Sequence, residues 1–407
     1  MYSKYSQLIT SKTLICVRKS LLCKTVPEPS PFQCKRSEKK WHCLKVQTSG
    51  FHTTQKLHFH TPVIFCLGSI LAGHYLRKRW MSLSPTEQET CIRWYKQRRH
   101  IFHGALKILS AFLVIYFATC IKRDPILQAP RFVMFNEAQR VQNAKFLFKV
   151  VVQNESNVVP HDNPMYKKAV RVIRKLTNAN KEIFKGIDWD VTIIYRIFNI
   201  ASIPNVLILP DRHIIILADI FNLIKSDDQL TFILAHEMSH EMLYHPSQTL
   251  SLGVLSNDVI LISTFLIWAF YPARAAAILC SLLYTVHAIL FAWLKRSCER
   301  EADKVGLQLA TKCCIDLREI LTFWDIMKMY DDFTGASMFR LPLLNDHPSL
   351  DERKNITLQL MPKMNQLRDQ IGCPELSLRD PREDLPQYKR ELEDELRRNP
   401  RFLGMRW

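Results

Sequence analysis

The chain has 407 residues and a formal net charge of +18, about half of which lies in residues 1–60, where eleven Lys or Arg face only Glu28 and Glu38. That skew marks a targeting segment, and the absence of zinc-finger spacing or an aromatic-basic motif argues against a nucleic-acid partner. None of the twelve cysteines forms a CxxC pair, which leaves no sign of a disulfide scaffold or a thiolate zinc site; adjacent Cys313 and Cys314 are read as core or spare thiols.

Residues 1–55 are basic, hydroxyl-rich and acid-poor, as in "MYSKYSQLITSKTLICVRKSLLCK", the composition of a mitochondrial transit peptide. "SGFHTTQ" at 49–55 resembles a presequence cleavage region. Residues 56–104 form a basic segment whose one apolar run, 63–76, is short for a span. Residues 105–121, "ALKILSAFLVIYFATCI", carry no charge from Ile108 onward and are expected to be a transmembrane helix, with Lys107 snorkelling to the boundary. "RKR" at 77–79 and "RWYKQRRH" at 93–100 outweigh "KRD" at 122–124, which keeps the N-terminal side on the more negative face. In a mitochondrial inner membrane that face is the matrix, so the rest of the chain would lie in the intermembrane space, with membrane lipid as a partner.

From about residue 130 the pattern is soluble and mainly helical. "FNEAQRVQNAKFLFKVVVQ" and "PMYKKAVRVIRKL" show helical spacing, and runs at 189–196, 205–210 and 213–218 read as a small sheet, with "PDR" turning a hairpin. A helix capped near Ser226, Asp227 and Asp228 is expected to run to His245, before Pro246. An apolar insert at 259–294, interrupted by "PAR", would be a membrane hairpin, an interfacial element or a buried helical pair. Helices are expected at about 297–314 and 316–331, then a loop with "NDHPSLDER" and a helix to about 370. The charged tail, 374–407, reads as a surface helix or a disordered extension. The fold class expected is therefore mainly α with a small β-sheet and hairpin, behind an N-terminal transmembrane helix.

In "LAHEMSHEMLYH", His236 and His240 are four apart and project from one helical face, so both imidazoles can reach one metal ion, with Glu237 beside them to take a proton from water. A catalytic zinc needs a third protein ligand and one open position. His245 follows His240 by five residues with no intervening glycine, so on a continuing helix it is excluded. "RSCEREADKVGLQLA" offers Glu299 and Asp303 on one face: Glu299 is assigned to the metal, and Asp303 to the proton of a ligand histidine. Glu301 points elsewhere and is read as a solvated charge.

"HEMSH" followed some sixty residues later by "EREAD" resembles the zinc endopeptidases that include the CaaX prenyl proteases and the bacterial HtpX proteases. Within that group, the stretch from "NVLILPDRHIIILADIF" through "HEMSHEMLYH", with "EADKVGLQLA" and "DHPSLDER", is most similar to mitochondrial inner-membrane proteases whose activity overlaps the m-AAA protease. The resemblance covers about residues 130–373 and implies a gluzincin-like metallopeptidase domain with one Zn2+ on His236, His240 and Glu299. It further implies Glu237 as general base, protein substrates in or at the inner membrane, and a role in stress-induced quality control and inner-membrane dynamics, and it leaves a homo-oligomer open. His347 in "DHPS" matches a family position and would either stabilise the oxyanion or form a His-Pro turn that closes the last helix. Where family members have an Asn/Asp-Gly turn and a strand ending in Thr-Gly, this chain has Asp211-Arg212 and Ala218-Asp219. That departure keeps a second expectation alive, an inactive relative acting as a membrane scaffold.

Overall fold

The computed structural model describes residues 62–152, 157–195, 205–334 and 345–398. The transit-peptide reading of 1–55 lies outside these residues. The chain divides into two compact units, one with the residues up to Thr90 and Asn257–Tyr284, the other with Cys91–Ser256 and the residues from Thr285 onward.

In the first unit, α1 (Pro62–Met81) approaches the segment around Phe265 and Trp268. A Cβ on Gly73 would lie 2.4 Å from the Phe265 carbonyl oxygen, so only glycine permits that approach. Arg77 donates to the Phe270 carbonyl at 2.7 Å, and the His74 ring meets Trp268 edge-on.

Helix α2 (Pro85–Thr119) opens on a capping box. The Ser84 backbone N–H donates to Glu87 Oε2 at 2.8 Å, and the Glu87 N–H donates back to Ser84 Oγ. The expected span at 105–121 is the C-terminal part of this single 35-residue helix, which stops at Thr119 because Ile121–Arg123 leave as strand β1. Its apolar side chains, Ile108, Phe112 and Ile115 among them, are exposed. At about 1.5 Å per residue the helix exceeds a hydrocarbon core, so its basic first half extends beyond one.

β1 pairs antiparallel with β2 (Pro130–Phe132). The turn between them is tied by the buried Asp124 carboxylate, which accepts from the backbone N–H groups of Ile126, Leu127 and Ala129. Helices α3 (Glu137–Val152), α4 (Pro164–Ala179) and α5 (Lys181–Phe184) follow. The sheet has the order β3 (Asp190–Ile194), β5 (His213–Leu217), β4 (Val206–Ile208), with β3 parallel and β4 antiparallel to β5. Central β5 buries Ile214, Ile215, Ile216 and Leu217 completely, while β4 forms an edge. Arg212 turns the hairpin in the left-handed region, at φ 71°.

After α6 (Ile220–Leu223), helix α7 (Asp227–Met242) is capped by the Ser226 hydroxyl, which accepts from the Gln229 N–H, with Asp227 and Asp228 in its first turn. It ends at Met242, earlier than the sequence suggests. Tyr244, at φ 57°, breaks the run, and a new helix α8 (His245–Phe270) starts with Pro246 in its first turn, where a missing N–H costs nothing.

Helix α9 (Ala273–Thr311) merges the second half of the apolar insert with the expected 297–314 helix into one 39-residue rod. α2, α8 and α9 are long and apolar enough to cross a membrane. Val259, Ile262, Leu282 and Leu290 of the insert are exposed, while Ile260, Ala276, Cys280 and Ala292 are buried.

α10 (Leu317–Thr334) and α11 (Leu350–Gln370, capped by the Ser349 hydroxyl) complete the core around α4, the sheet and α7. Cys314 is disulfide-bonded to Cys373, which corrects the reading of Cys314 as a spare thiol; Cys313 is buried and free. Within the described part of the tail a helix docks on the surface of the core. After a 3-10 turn at Pro381–Asp384, α12 (Leu385–Arg398) buries Leu392 and Leu396 against Leu223, Ile326 and Tyr330, each burial contributing about 1.5–3 kcal/mol.

Candidate metal centre

His236 and His240 sit one turn apart on α7, and their Nε2 atoms face each other at 3.1 Å. α9 brings Glu299 to them: its Oε2 lies 3.6 Å from His236 Nε2 and its Oε1 3.5 Å from His240 Nε2. The two helices come this close because residue 306 is glycine; a Cβ there would sit 2.8 Å from the His236 Cα. One ligand atom from each of the three residues lies within 4.8 Å of the others, a set that fits a single metal ion, and Glu299 is buried between the two histidines. Two neutral-capable imidazoles and one carboxylate are the donor set of a catalytic rather than a structural site.

The family profile of Peptidase family M48 matches residues 171–357, the segment holding all these groups. Residues 171–357 are thus similar to M48 peptidase domains. Over 353 residues the chain is 27% identical to the mitochondrial metalloendopeptidase OMA1 of Danio rerio, covering 83% of this chain and 72% of that protein. It is 26% identical over 322 residues to the Homo sapiens protein of that name, covering 78% of this chain and 60% of the relative. The Saccharomyces cerevisiae mitochondrial metalloendopeptidase OMA1 is 21% identical over 277 residues, 66% of this chain and 77% of its own. This chain is a metalloendopeptidase, its relatives are mitochondrial, and its apolar helices fit membrane association.

Around the three residues lies a second layer of charge. Asp303 Oδ1 accepts from His236 Nδ1 at 3.1 Å, which leaves Nε2 to face the metal position. Arg353 holds Asp303 with two bonds, Nη2 to Oδ1 at 2.6 Å and Nε to Oδ2 at 2.9 Å, and its Nη1 lies 3.5 Å from Glu299. Its guanidinium stacks 4.4 Å from the Trp324 ring. Burial disfavours the Asp303 carboxylate, but Arg353 and His236 outweigh it and hold its pKa below the usual range. Burial holds His240 well below its ordinary value and therefore neutral, as a ligand must be. For Glu237, burial pushes the carboxyl up to about 7 against the pull of His236 and Arg353.

His347 is half-buried, with Nδ1 3.0 Å from Glu299 Oε2, so the loop before α11 reaches the site. Sequence reasoning missed Arg353, although it lies six residues after His347 in the stretch that drew attention to that histidine. It also misread Glu301. That carboxylate pairs with Arg131 at 2.6 Å and His245 at 3.3 Å; burial opposes its charge, but these partners lower its pKa to about 2, so it is no solvated surface group.

Proposed function

We propose that this protein is a zinc endopeptidase of the mitochondrial inner membrane that cleaves membrane-associated proteins from the intermembrane-space side, in stress-induced quality control. The convergence of His236 Nε2, His240 Nε2 and Glu299 on one point carries the reading. Zinc held there would supply Lewis-acid polarisation of the scissile carbonyl and of an attacking water. Glu237, one residue from His236 and tuned to about 7, takes a proton from that water and returns it to the leaving amine. His347 reaches the same space and donates a hydrogen bond to the oxyanion. Asp303 fixes the proton of His236. Among the described residues β4 lies at an edge of the sheet, where an extended substrate would add as a further strand.

Two features support the compartment. The Cys314–Cys373 bond persists in an oxidising space rather than the matrix, and the basic first half of α2 favours the matrix side of a span. The intact constellation favours an enzyme over an inactive scaffold. The deciding experiment is zinc analysis and cleavage of an unfolded protein by the full chain in detergent. Glu237→Gln should keep zinc and lose cleavage, and Glu299→Gln should lose zinc. Full cleavage by Glu237→Gln would refute the mechanism.

A further inference from the structure

His245, which spacing seemed to exclude from the site, is almost fully buried, and both of its ring nitrogens are engaged. Its Nδ1 lies 3.1 Å from His240 Nδ1, and its Nε2 lies 3.3 Å from Glu301 Oε2. Glu301 in turn accepts from Arg131 Nη2 at 2.6 Å, and Arg131 Nε donates to Asp124 at 3.0 Å. On a helix continuing past Met242, a residue five positions after His240 would be rotated by about 140° from it. The left-handed Tyr244 ends α7, and the restart at His245 swings that ring back against His240.

From these contacts we propose that His245 and Glu301 are positioning residues that fix which nitrogen of His240 faces the metal. The proposal rests on the zinc-site reading above and deepens it. Ionised Glu301 only accepts, so His245 carries its proton on Nε2 and donates there. Its Nδ1 then holds a lone pair and accepts from His240 Nδ1–H. His240 is left with its lone pair on Nε2, the atom that faces His236 Nε2 and Glu299. Each tautomer is set by the group behind it, beginning at the Arg131 cation. His236 obtains the same result in one step, from Asp303. An ordinary buried histidine capping the start of α8 would need no second histidine at 3.1 Å and no ion pair aligned behind it.

The test is zinc affinity of the full chain in detergent, measured by competition with a chromophoric chelator, for His245→Phe, Glu301→Ala and the double variant. Loss of a group that orients a metal-ligating histidine weakens binding by about 10–100-fold. His245→Phe and Glu301→Ala should each weaken zinc within that range, and the double variant should be no worse than His245→Phe, because the two act in one chain. Additive losses would mean two separate structural contributions and would overturn the relay, as would wild-type affinity in His245→Phe. If His245→Phe does not fold, Glu301→Ala decides alone: its side chain is one-third exposed, and unchanged affinity there also overturns the proposal. His240→Ala separates the two readings. If wild type binds zinc, His240→Ala loses it and His245→Phe keeps it, the relay fails while the metal site stands; if wild type holds none, the site itself fails.

Discussion

The two histidines of α7 are supported in different ways. His236 is backed directly by Asp303, which comes from the same helical face as Glu299 and is clamped by Arg353 of α11. His240 is backed by His245, and behind it by Glu301, Arg131 and the β1–β2 turn. The first support uses the regular spacing of two helices; the second depends on a break in one. Regular spacing can be read from a sequence, whereas a single left-handed residue such as Tyr244 leaves little trace in it.

The comparison can be broken hardest at Arg353. Arg353→Met removes the cation between buried Asp303 and Glu299, and leaving such carboxylates unpaired costs about 3–5 kcal/mol. Chemical denaturation should show that loss together with failure to retain zinc; a variant of wild-type stability would mean the clamp is not what holds the direct support. Next comes the disulfide, which joins the chain just after α9, bearing Glu299 and Asp303, to the chain just after α11, bearing Arg353. Cys314→Ser should lower stability by about 2–4 kcal/mol, the usual range for such a closed loop. Burial pushes the Cys313 thiol up to about 11, so in the native protein it stays protonated and resists alkylation at neutral pH. Mass spectrometry after maleimide treatment should therefore find the 314 and 373 positions labelled only after reduction. Labelling without reduction would show that the bond is absent.

A change at Gly306 acts on the distance between the two helices. Gly306→Ala places a Cβ 2.8 Å from the His236 Cα and 2.9 Å from its backbone nitrogen, against main chain that cannot rotate away. Overpacking of this kind costs about 1–3 kcal/mol. Because the displaced backbone is that of His236, zinc affinity should fall by more than the stability loss alone explains. Equal stability and equal affinity would mean the helices have slack that the structure does not show.

The start of α7 with its cap, the hairpin and the grouping of His236, His240, Glu299 and Asp303 were legible because each rests on local signals, one-turn spacing or turn chemistry. Ser226 followed by two aspartates placed the start of α7 correctly, while its end was misjudged because Pro246 looks like a terminator yet serves as the first turn of α8. Arg353, Arg131 and the Cys314–Cys373 pair were not legible. Their partners lie far away along the chain, and nothing local distinguishes an arginine bound for a buried carboxylate from one bound for water. The length of α9 was missed for a related reason. Its apolar half suits lipid and its polar half suits the core, and a change of surroundings along one rod looks in sequence like a boundary between two.

The smallest expected effect is at a position outside both supports and serves as their control. Arg212 turns the β4–β5 hairpin at φ 71°, where a Cβ costs roughly 1–2 kcal/mol and glycine does not. Among the described residues its side chain makes a surface ion pair with Glu137 at 3.3 Å, between partly and largely exposed groups, so little is lost with it. Glycine's greater freedom in the unfolded chain offsets part of the relief. Arg212→Gly should therefore raise stability by up to about 1 kcal/mol, or a Tm increase of roughly 2–4 °C for a domain of this size, with zinc affinity unchanged. A lower Tm would assign the Arg212 side chain a structural task. A changed zinc affinity would be more instructive, because it would tie the hairpin to the metal ligands and end the treatment of the two supports as self-contained.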